Sequence, residues 1–301
     1  MNMRKKYIYW LFVLFAILIL DSVVGVVGEY MMKNVNSDKG VAKDDYRLNK
    51  SVDDVIIIGS SRAAYHYVPS IICDSIVNHT GNQYSVYNAG VSGCYINSSL
   101  CVIESILDRY RPKLIILDTY NPEFWSNNAR ANLEASIVSY SVNPYVKKSL
   151  DDLGWRERCK CLSSMYRYNQ KLIQIISLFL KNPSVSDGYI PLQGSKLITT
   201  NTVSEVQIVD NYTIQHFRST LKRVKDLMIP IIVVGSPCYN PRDNNEIVSG
   251  LCEECGVLYA DLYSIEEFNE HEDWFYDEKH LNDLGAQVFS SRLFGVIKPL
   301  L

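Results

Sequence analysis

A hydroxyl nucleophile and a histidine with a nearby carboxylate are the residues of this chain best suited to acyl chemistry. Two serines, Ser60 and Ser61, lie just beyond the apolar run Val55–Ile58, and Asp277 precedes His280 by three residues. A carboxylate at that spacing can accept a hydrogen bond from the imidazole and fix its tautomer, so the other ring nitrogen can take a proton from a hydroxyl. Each residue taken singly also fits an ordinary turn or helix start, so the surrounding elements must decide between these interpretations.

Short apolar runs alternate with helical periodicity from residue 55 onward. Several of the runs are apolar on both faces, as strands in a parallel sheet covered by helices are. Apolar residues recur at helical spacing between the runs, which indicates the covering helices. The pattern predicts a doubly wound α/β sandwich with a mostly parallel sheet. The predicted strands are 55–58, 84–87, 114–117, 231–235 and 257–260, and the predicted helices are 96–110, 212–228 and 283–297.

Polar clusters follow the first three predicted strands at their carboxyl ends. Residues 59–61 (GSS) follow the first strand, residues 87–93 (YNAGVSG) the second, and residues 117–122 (LDTYNP) the third. In open α/β sheets, ligands bind outside this edge. Several clusters on one edge are harder to explain as turns than any single cluster, so the sequence predicts a functional site there.

In their order and spacing, these stretches and the one that contains Asp277 resemble the SGNH, or GDSL-type, hydrolases, including membrane-anchored relatives in bacterial glycan and cell-wall modification. The resemblance extends from the first predicted strand to the end of the chain and implies a flavodoxin-like SGNH sandwich. It implies that Ser61 is the nucleophile, His280 the base and Asp277 the residue that orients the base. It also implies an oxyanion hole formed by the backbone N–H groups of Ser61 and Gly93 and by the side-chain amide of Asn121.

The chain departs from the family pattern at two places. Ser60 stands where the family usually has aspartate, and the third block runs Asp118-Thr-Tyr-Asn121-Pro rather than Gly-x-Asn-Asp and is one residue shorter. With a shifted register, Asp118 or Thr119 would face the site in place of Asn121, and a carboxylate there would repel an oxyanion. Arg62 either binds an anion or forms a structural ion pair.

The resemblance implies a serine esterase or an O-acyltransferase, and the sequence leaves open whether water or a sugar hydroxyl accepts the acyl group. The expected substrate is an acylated surface glycan or a lipid-linked saccharide. No metal or nucleotide cofactor is expected, since the sequence has neither a P-loop nor a G-x-G-x-x-G motif. The alternative from another class is a non-catalytic SGNH-like module that binds glycan or scaffolds an envelope assembly.

The N-terminus has the features of a membrane anchor. Residues 1–6 are basic and precede the apolar segment 7–28, which exceeds the roughly 20 residues that a bilayer core requires. The positive-inside rule then predicts a cytoplasmic N-terminus and an extracytoplasmic remainder. Asp21, near the outer end of the span, would reach the interface. A cleaved signal peptide is the alternative, although Val26-x-Gly28 is a weak cleavage site.

The rest of the chain divides into a stalk and a domain. Residues 29–50 are polar and aperiodic, which predicts a stalk, and residues 51–301 form the predicted SGNH-like domain. Residues 122–205 interrupt the alternation of strands and helices and contain a predicted helix around 163–181. Such an insertion either shapes or covers a binding site or buttresses the domain.

Composition gives no reason to expect a nucleic-acid partner, and it leaves open whether the cysteines form disulfides. The net charge is −3 with 21% charged residues and no basic stripe, so no nucleic-acid partner is expected. Twenty-one tyrosines suit ring-shaped polar ligands such as sugars, although most tyrosines serve packing. In an exported domain the eight cysteines form disulfides or remain buried thiols. Cys252-x-x-Cys255 lacks the second half of a zinc site and a thioredoxin-like context, so neither zinc nor redox chemistry is predicted.

Overall fold

The computed structural model describes residues 3–128, 137–169, 171–196, 207–241 and 244–301. These form two compact units, which we call the sheet unit and the helical unit. The sheet unit comprises Arg47–Ser136 and Ser186–Leu301, and the helical unit comprises Met1–Tyr46 and Ile137–Val185. The second segment of the helical unit therefore lies inside the predicted insertion 122–205.

Five short runs of β-branched and other apolar residues form the main sheet. The strands are β1 (Val55–Ile58), β2 (Val86–Asn88), β3 (Leu114–Asp118), β4 (Ile231–Gly235) and β5 (Leu258–Asp261). They run parallel in the order β2-β1-β3-β4-β5, which confirms the predicted α/β class. Ile57 pairs with both Asn88 and Ile116, so the first three strands reach the same edge together.

The α-helices divide between the two units. In chain order they are α1 (Met3–Asn34), α2 (Ala42–Asp45), α3 (Ser61–His66), α4 (Pro69–Thr80), α5 (Ile96–Arg109), α6 (Pro144–Asp152), α7 (Trp155–Cys161), α8 (Ser164–Tyr168), α9 (Lys171–Lys181), α10 (Asn211–Asp226), α11 (Glu246–Cys255), α12 (Glu266–Asn269) and α13 (Asp283–Ile297). Short 3-10 helices cover Asn121–Phe124, Val138–Tyr140, Glu272–Trp274 and Lys298–Leu300, and a π-helical turn covers Tyr46–Lys50. The predicted helices 96–110, 212–228 and 283–297 match α5, α10 and α13 within two residues.

Side chains alternate between the two faces of a strand, and all residues of the central strands β1, β3 and β4 are buried, so both faces of the sheet are covered there. On one face, Ile57 and Ile116 share a hydrophobic core with Ile72 of α4 and Phe289 of α13. The other face is covered by α5, which contacts β1 and packs against α10. All four residues of β1 are inaccessible to solvent, which is why the run VIII contains no polar position.

A short hairpin carries the predicted aspartate and histidine. β6 (Phe275–Asp277) and β7 (His280–Leu281) are antiparallel, and Asp277 pairs directly with His280. The three-residue spacing seen in the sequence is therefore spanned by a hairpin and not by a helical turn. Residues opposite each other in an antiparallel pair project their side chains to the same face, so the hairpin achieves the same proximity.

The helical unit differs from the sequence predictions at two places. Helix α1 continues to Asn34 and its C-terminal half packs against α8 and α9, so the first part of the predicted stalk 29–50 is regular helix. Tertiary packing stabilises that part of α1, and because its residues are polar and aperiodic, the sequence did not reveal that it is helical. The predicted helix 163–181 is interrupted, since α8 ends at Tyr168 and α9 begins at Lys171. Helix α1 is long and apolar enough to cross a membrane.

Candidate active site

Ser61 lies where the strand order of the sheet reverses. It is the first residue of α3, two residues after Gly59 and directly beyond β1, and the chain switches direction between β1 and β3. In doubly wound sheets the crevice at this switch point is where ligands bind. A Cβ atom at Gly59 would lie 2.8 Å from both the Cβ of Ala63 and the backbone oxygen of Asp118. Only glycine therefore allows the turn into α3 to pass this close to β3.

The structure brings Ser61, His280 and Asp277 together in a hydrogen-bonded chain. Ser61 Oγ lies 2.7 Å from His280 Nε2, and His280 Nδ1 lies 2.9 Å from both carboxylate oxygens of Asp277. Because an ionised carboxylate only accepts hydrogen bonds, the ring proton belongs on Nδ1. Nε2 is then free to accept the Ser61 hydroxyl proton, which is the arrangement a general base requires.

Backbone groups of the hairpin hold the Asp277 carboxylate in place. Its Oδ1 accepts hydrogen bonds from the backbone N–H groups of Lys279 and His280, at 2.9 and 3.0 Å. Burial alone would raise the pKa of Asp277, but the hydrogen bond and charge of His280 and these two backbone donors lower it below its usual value. The carboxylate therefore stays ionised and favours a positive charge on the imidazole when His280 takes up a proton.

Ser61 and His280 are both half-buried, so a small molecule can reach them from solvent. Tyr65, on the same helix as Ser61, lies edge-on to the His280 ring, with 5.3 Å between ring centroids and 77° between ring planes. Its position beside the base makes it a wall of the site. Sequence analysis did not identify Tyr65, because one tyrosine among 21 carries no signal of its own.

Arg62 and His66 of α3 bind the backbone on both sides of His280. The Arg62 guanidinium donates to the carbonyl of Lys279 at 3.4 Å, and the backbone N–H of Leu281 donates to His66 Nε2 at 3.0 Å. Helix α3, which carries Ser61, is thereby tied to β7, which carries His280. Sequence analysis missed this role of both residues, since only the tertiary fold places the residues flanking His280 against α3.

His66 is a neutral, Nδ1-protonated imidazole. Its Nε2 accepts from Leu281, so the proton lies on Nδ1, which is 2.9 Å from Ser236 Oγ. Burial lowers the pKa of His66 well below its usual value, and the positive charge of Arg62 lowers it further. An uncharged ring is therefore built into the support of His280.

Arg62 forms a buried structural ion pair, which decides between the two roles considered from the sequence. Its Nε lies 3.6 Å from Asp118 Oδ1, and both side chains are at most 1% exposed. The Tyr67 hydroxyl donates to the other oxygen of Asp118 at 2.6 Å, and the guanidinium stacks 4.8 Å from the Tyr120 ring centroid. Although burial would lower the pKa of Arg62, the Asp118 carboxylate raises it above its usual value.

The second predicted block lies against the nucleophile helix. Asn88 donates to the backbone carbonyls of Ala63 and Tyr67 at 2.7 and 2.9 Å, and its oxygen accepts from the N–H of Gly90 at 3.0 Å. A Cβ atom at Gly90 would lie 2.7 Å from Ala63, so the loop after β2 touches α3 directly. Gly93, three residues on, has a φ of 79°, a left-handed conformation that glycine adopts without strain.

The third block is engaged in helix capping. The side-chain oxygen of Asn121 accepts from the backbone N–H groups of Ile247 and Val248, at 3.1 and 3.2 Å, at the start of α11. Among the residues that the structure describes, no hydrogen bond joins Asn121 or Gly93 to Ser61 or His280. Their participation in an oxyanion hole therefore stays a prediction.

The sequence analysis named Asp118 and Thr119 as residues that could face the site in place of Asn121, and neither does. Asp118 and Thr119 are both fully buried, and Asp118 is bound to Arg62 and Tyr67. Thr119 Oγ1 lies 3.4 Å from the carboxylate of Glu123, which is also fully buried. Burial raises the pKa of Glu123 to about 8. The Ser60 hydroxyl is a second polar neighbour of Glu123.

The end of the predicted insertion runs along the candidate site. The backbone N–H of Asn88 donates to the carbonyl of Asp187 at 2.8 Å, and that of Ile190 donates to the carbonyl of Ala64 at 3.1 Å. Residues 187–190 thus lie beside β2 and add to the outer face of α3. Residues 197–205 of the predicted insertion lie outside the described residues.

All eight cysteines lie within the described ranges and are thiols rather than disulfides. Burial raises the pKa of Cys252 to about 12, and burial also raises the pKa of Cys255. Redox-active cysteines require the opposite shift, because the thiolate is the reactive form. The sequence left open whether the cysteines form disulfides or remain thiols, and in this structure they are thiols.

Comparisons with known proteins find a distant structural likeness. No family model and no curated protein matches the sequence. The crystal structure of a lipase/acylhydrolase from Enterococcus faecalis is similar to the chain with a TM-score of 0.42 and 10% sequence identity, and the match covers 82% of this chain and 96% of that one.

Proposed function

We propose that this protein is a membrane-anchored serine esterase or O-acyltransferase of the SGNH type. The proposal rests mainly on the hydrogen-bonded chain from Ser61 Oγ through the His280 ring to the Asp277 carboxylate, at 2.7 and 2.9 Å. A nucleophile, a base and an orienting acid in that geometry define acyl chemistry on otherwise unrelated folds.

The chemistry follows from these positions. His280 Nε2 takes the proton of Ser61 as Oγ attacks the ester carbonyl, and the resulting imidazolium is stabilised by Asp277. The same proton passes to the departing alkoxide, which leaves an acyl group on Ser61. Water, or a sugar hydroxyl in a transferase, then attacks the acyl group and gives its proton to His280. The bond between the acyl group and Ser61 Oγ breaks, and His280 returns the proton to Oγ. The backbone N–H groups of Ser61 and Gly93 and the amide of Asn121 are the proposed oxyanion donors, each worth about 2.7–4 kcal/mol where such donors have been removed.

The proposed substrate is an acyl ester of a surface glycan or lipid-linked saccharide. Helix α1 supports a membrane location, since it is long and apolar enough to span a bilayer, and the basic residues before it favour an extracytoplasmic sheet unit. The Tyr65 ring beside His280 supports a ring-shaped polar ligand, because aromatic rings pack against the apolar faces of sugars.

A second candidate is a non-catalytic module that binds glycan or scaffolds an envelope assembly. The observation that favours it is the orientation of Asn121, whose side-chain oxygen caps α11. If its amide nitrogen does not reach an oxyanion, the hole has only backbone donors. The fold and the surface would then serve binding alone.

The experiment that separates the two candidates is labelling by a fluorophosphonate probe. Wild-type full-length protein in a mild detergent, Ser61→Ala and Asp277→Asn would be treated with the probe and with a short-chain acyl ester. The esterase proposal expects labelling of the wild type, none of Ser61→Ala, and a rate about 10⁴-fold lower for Asp277→Asn, the loss known when a triad aspartate becomes asparagine. Ser70→Ala, at an exposed serine of α4, is the matched control and should label like the wild type.

Folded wild-type protein that neither labels nor turns over the ester would contradict the esterase proposal and favour the binding module. Folding is checked independently by circular dichroism, so loss of structure is not mistaken for loss of activity. Product analysis with an added sugar acceptor then distinguishes hydrolysis from transfer.

A further inference from the structure

Asp21, a charged residue inside the apolar segment 7–28, is bound to the start of helix α8. Its Oδ1 accepts from Ser163 Oγ at 2.6 Å and from the backbone N–H of Met165 at 2.8 Å, and its Oδ2 accepts from the N–H of Ser164 at 3.0 Å. A side chain at Gly28, two turns further on, would contact the Tyr168 ring at 3.1 Å. Helix α8 is therefore fixed against α1, with its first residue at the level of Asp21.

This level lies within the thickness of a bilayer. If the apolar layer begins at Tyr7, after the basic residues, Asp21 lies about 21 Å along the helix at 1.5 Å per residue. A hydrocarbon core is about 30 Å thick, so Asp21 falls about 9 Å short of its far boundary. Amphipathic segments at membrane surfaces are immersed by about 5–10 Å. The segment bound to Asp21 therefore lies at the depth of an interfacial segment.

The surface of this segment has the chemistry of a lipid interface. Leu162, the residue before Ser163, is 82% exposed, and Met165 is also exposed. Trp155 is 67% exposed and lies seven residues before Leu162, which places the two on the same face of α7. Exposed apolar side chains next to a tryptophan are typical of the boundary between acyl chains and headgroups.

The charge of residues 155–168 also suits a lipid interface. Residues 155–168 contain four cationic side chains and one acidic one, Glu157, which is paired with Lys160 at 3.0 Å. Arg156 and Arg158 are exposed on the same short helix as Trp155. Basic side chains beside an apolar tip attract the phosphates of acidic lipids.

We propose that Trp155–Met165, which we call the α7–α8 corner, is a second membrane contact that binds acidic phospholipids. Leu162 and Met165 enter the acyl region of the leaflet from which α1 emerges, and Arg156 and Arg158 bind headgroup phosphates. Asp21 is tolerated in the span because the corner supplies its hydrogen-bond donors. The inference rests on the membrane anchoring by α1 that is part of the proposed function.

Helix α9 provides an internal control. It also exposes apolar residues, with Ile173 at 79% and Leu180 at 76%. However, Phe179 of α9 packs on Tyr30, with 6.2 Å between ring centroids, and Tyr30 lies about 13 Å beyond Asp21 along α1. That distance exceeds the 9 Å of apolar layer that remains, so α9 should stay outside the acyl region.

The test is depth-selective photolabelling of the full-length protein in vesicles of phosphatidylcholine and phosphatidylglycerol. A phospholipid with a diazirine near the glycerol end of one acyl chain supplies the label, and trypsin releases the peptides Cys161–Arg167 and Leu172–Lys181. We expect label on Cys161–Arg167 at ten-fold or more the level on Leu172–Lys181. If α1 is labelled but Cys161–Arg167 carries no more label than Leu172–Lys181, the proposal is overturned. An unlabelled α1 would instead refute the anchoring on which the proposal depends.

The role of acidic lipid is tested by a charge variant. Arg156→Gln/Arg158→Gln should lower the labelling of Cys161–Arg167 at least about three-fold in the mixed vesicles, since each basic residue near an anionic surface contributes to binding. The labelling in vesicles of phosphatidylcholine alone should stay the same. Equal labelling of variant and parent in both kinds of vesicle would contradict headgroup binding by these arginines. Lys148→Gln on α6, which removes an exposed charge outside the corner, is the matched control.

Discussion

Replacing His66 by glutamine should remove an acid-sensitive component of the stability of the sheet unit. His66 is held neutral by burial, while its ring binds the backbone N–H of Leu281 and lies 2.9 Å from Ser236 Oγ. A glutamine side chain offers one acceptor and one donor at similar distances, so His66→Gln keeps these hydrogen bonds but cannot bind a proton.

The sign and size of the effect follow from linkage. Because the folded pKa of His66 is lowered, its contribution is complete above the ordinary pKa of about 6.5 and is lost as the pH falls, since only the unfolded chain takes up the proton. With the folded form unprotonated, the loss is RT ln(1 + 10^(6.5 − pH)). This amounts to about 1.4 kcal/mol at pH 5.5 and about 2.7 kcal/mol at pH 4.5.

The assay is urea unfolding of the full-length protein in a mild detergent from about pH 7.5 to 4.5. Trp10 and Trp155 of the helical unit are replaced by phenylalanine in parent and variant, so that emission reports only Trp125 and Trp274 of the sheet unit. The difference in unfolding free energy between parent and His66→Gln cancels the titration of carboxylates common to both proteins.

As the pH falls, the unfolding free energy of His66→Gln should rise relative to that of the parent, by about 1.4 kcal/mol at pH 5.5 and about 2.7 kcal/mol at pH 4.5. A difference that stays constant to within about 0.5 kcal/mol over the whole range would refute the inference that burial keeps His66 neutral. It would also remove the argument that an uncharged ring supports the strand of His280.

Two further predictions concern the packing around α3. Asp118→Asn leaves Arg62 buried without its counter-ion and should lower the unfolding free energy by about 3–5 kcal/mol, whereas the apolar pair Arg62→Met/Asp118→Leu should cost less; a cost below about 1 kcal/mol for the single variant in urea titrations would argue against a buried ion pair. Gly90→Ala places a methyl group 2.7 Å from Ala63 and should cost about 1–3 kcal/mol, while Gly295→Ala on α13 meets no atom within 4 Å and should stabilise by up to about 1 kcal/mol. Thermal unfolding of both glycine variants measures the contrast, and equal midpoints would contradict the close approach of the β2 loop to α3.

Much of the sheet unit follows from local patterns in the sequence. Runs such as Val55–Ile58 are short, β-branched and apolar at consecutive positions, as a strand buried on both faces requires. The polar stretches that follow these runs then had to meet at one edge, because parallel strands end on the same side. This edge could therefore be predicted from the sequence as the place of a site, and the resemblance to the SGNH hydrolases then assigned Ser61 within it.

The supports of the candidate site could not be predicted in the same way. Arg62 had two roles that the sequence could not separate, and the buried Asp118 decided between them. His66 and Leu281 are far apart in the chain, so their hydrogen bond arises only when α3 packs beside β7. The capping of α11 by Asn121 likewise depends on a contact between distant segments, and no local pattern announces it.

The sequence by itself determined the elements whose physics is local: the buried strands, the long apolar helix α1, and the spacing of Asp277 and His280. Tertiary structure decided how these are used. The aspartate and histidine meet through a hairpin rather than a helical turn, because β6 and β7 pair with Asp277 opposite His280. The polar segment after residue 28 remains helical because α8 and α9 pack against α1, and Asp21 is accommodated because the backbone of α8 binds its carboxylate. Such contacts join residues far apart in the chain, and their free energy is absent from any short stretch of sequence.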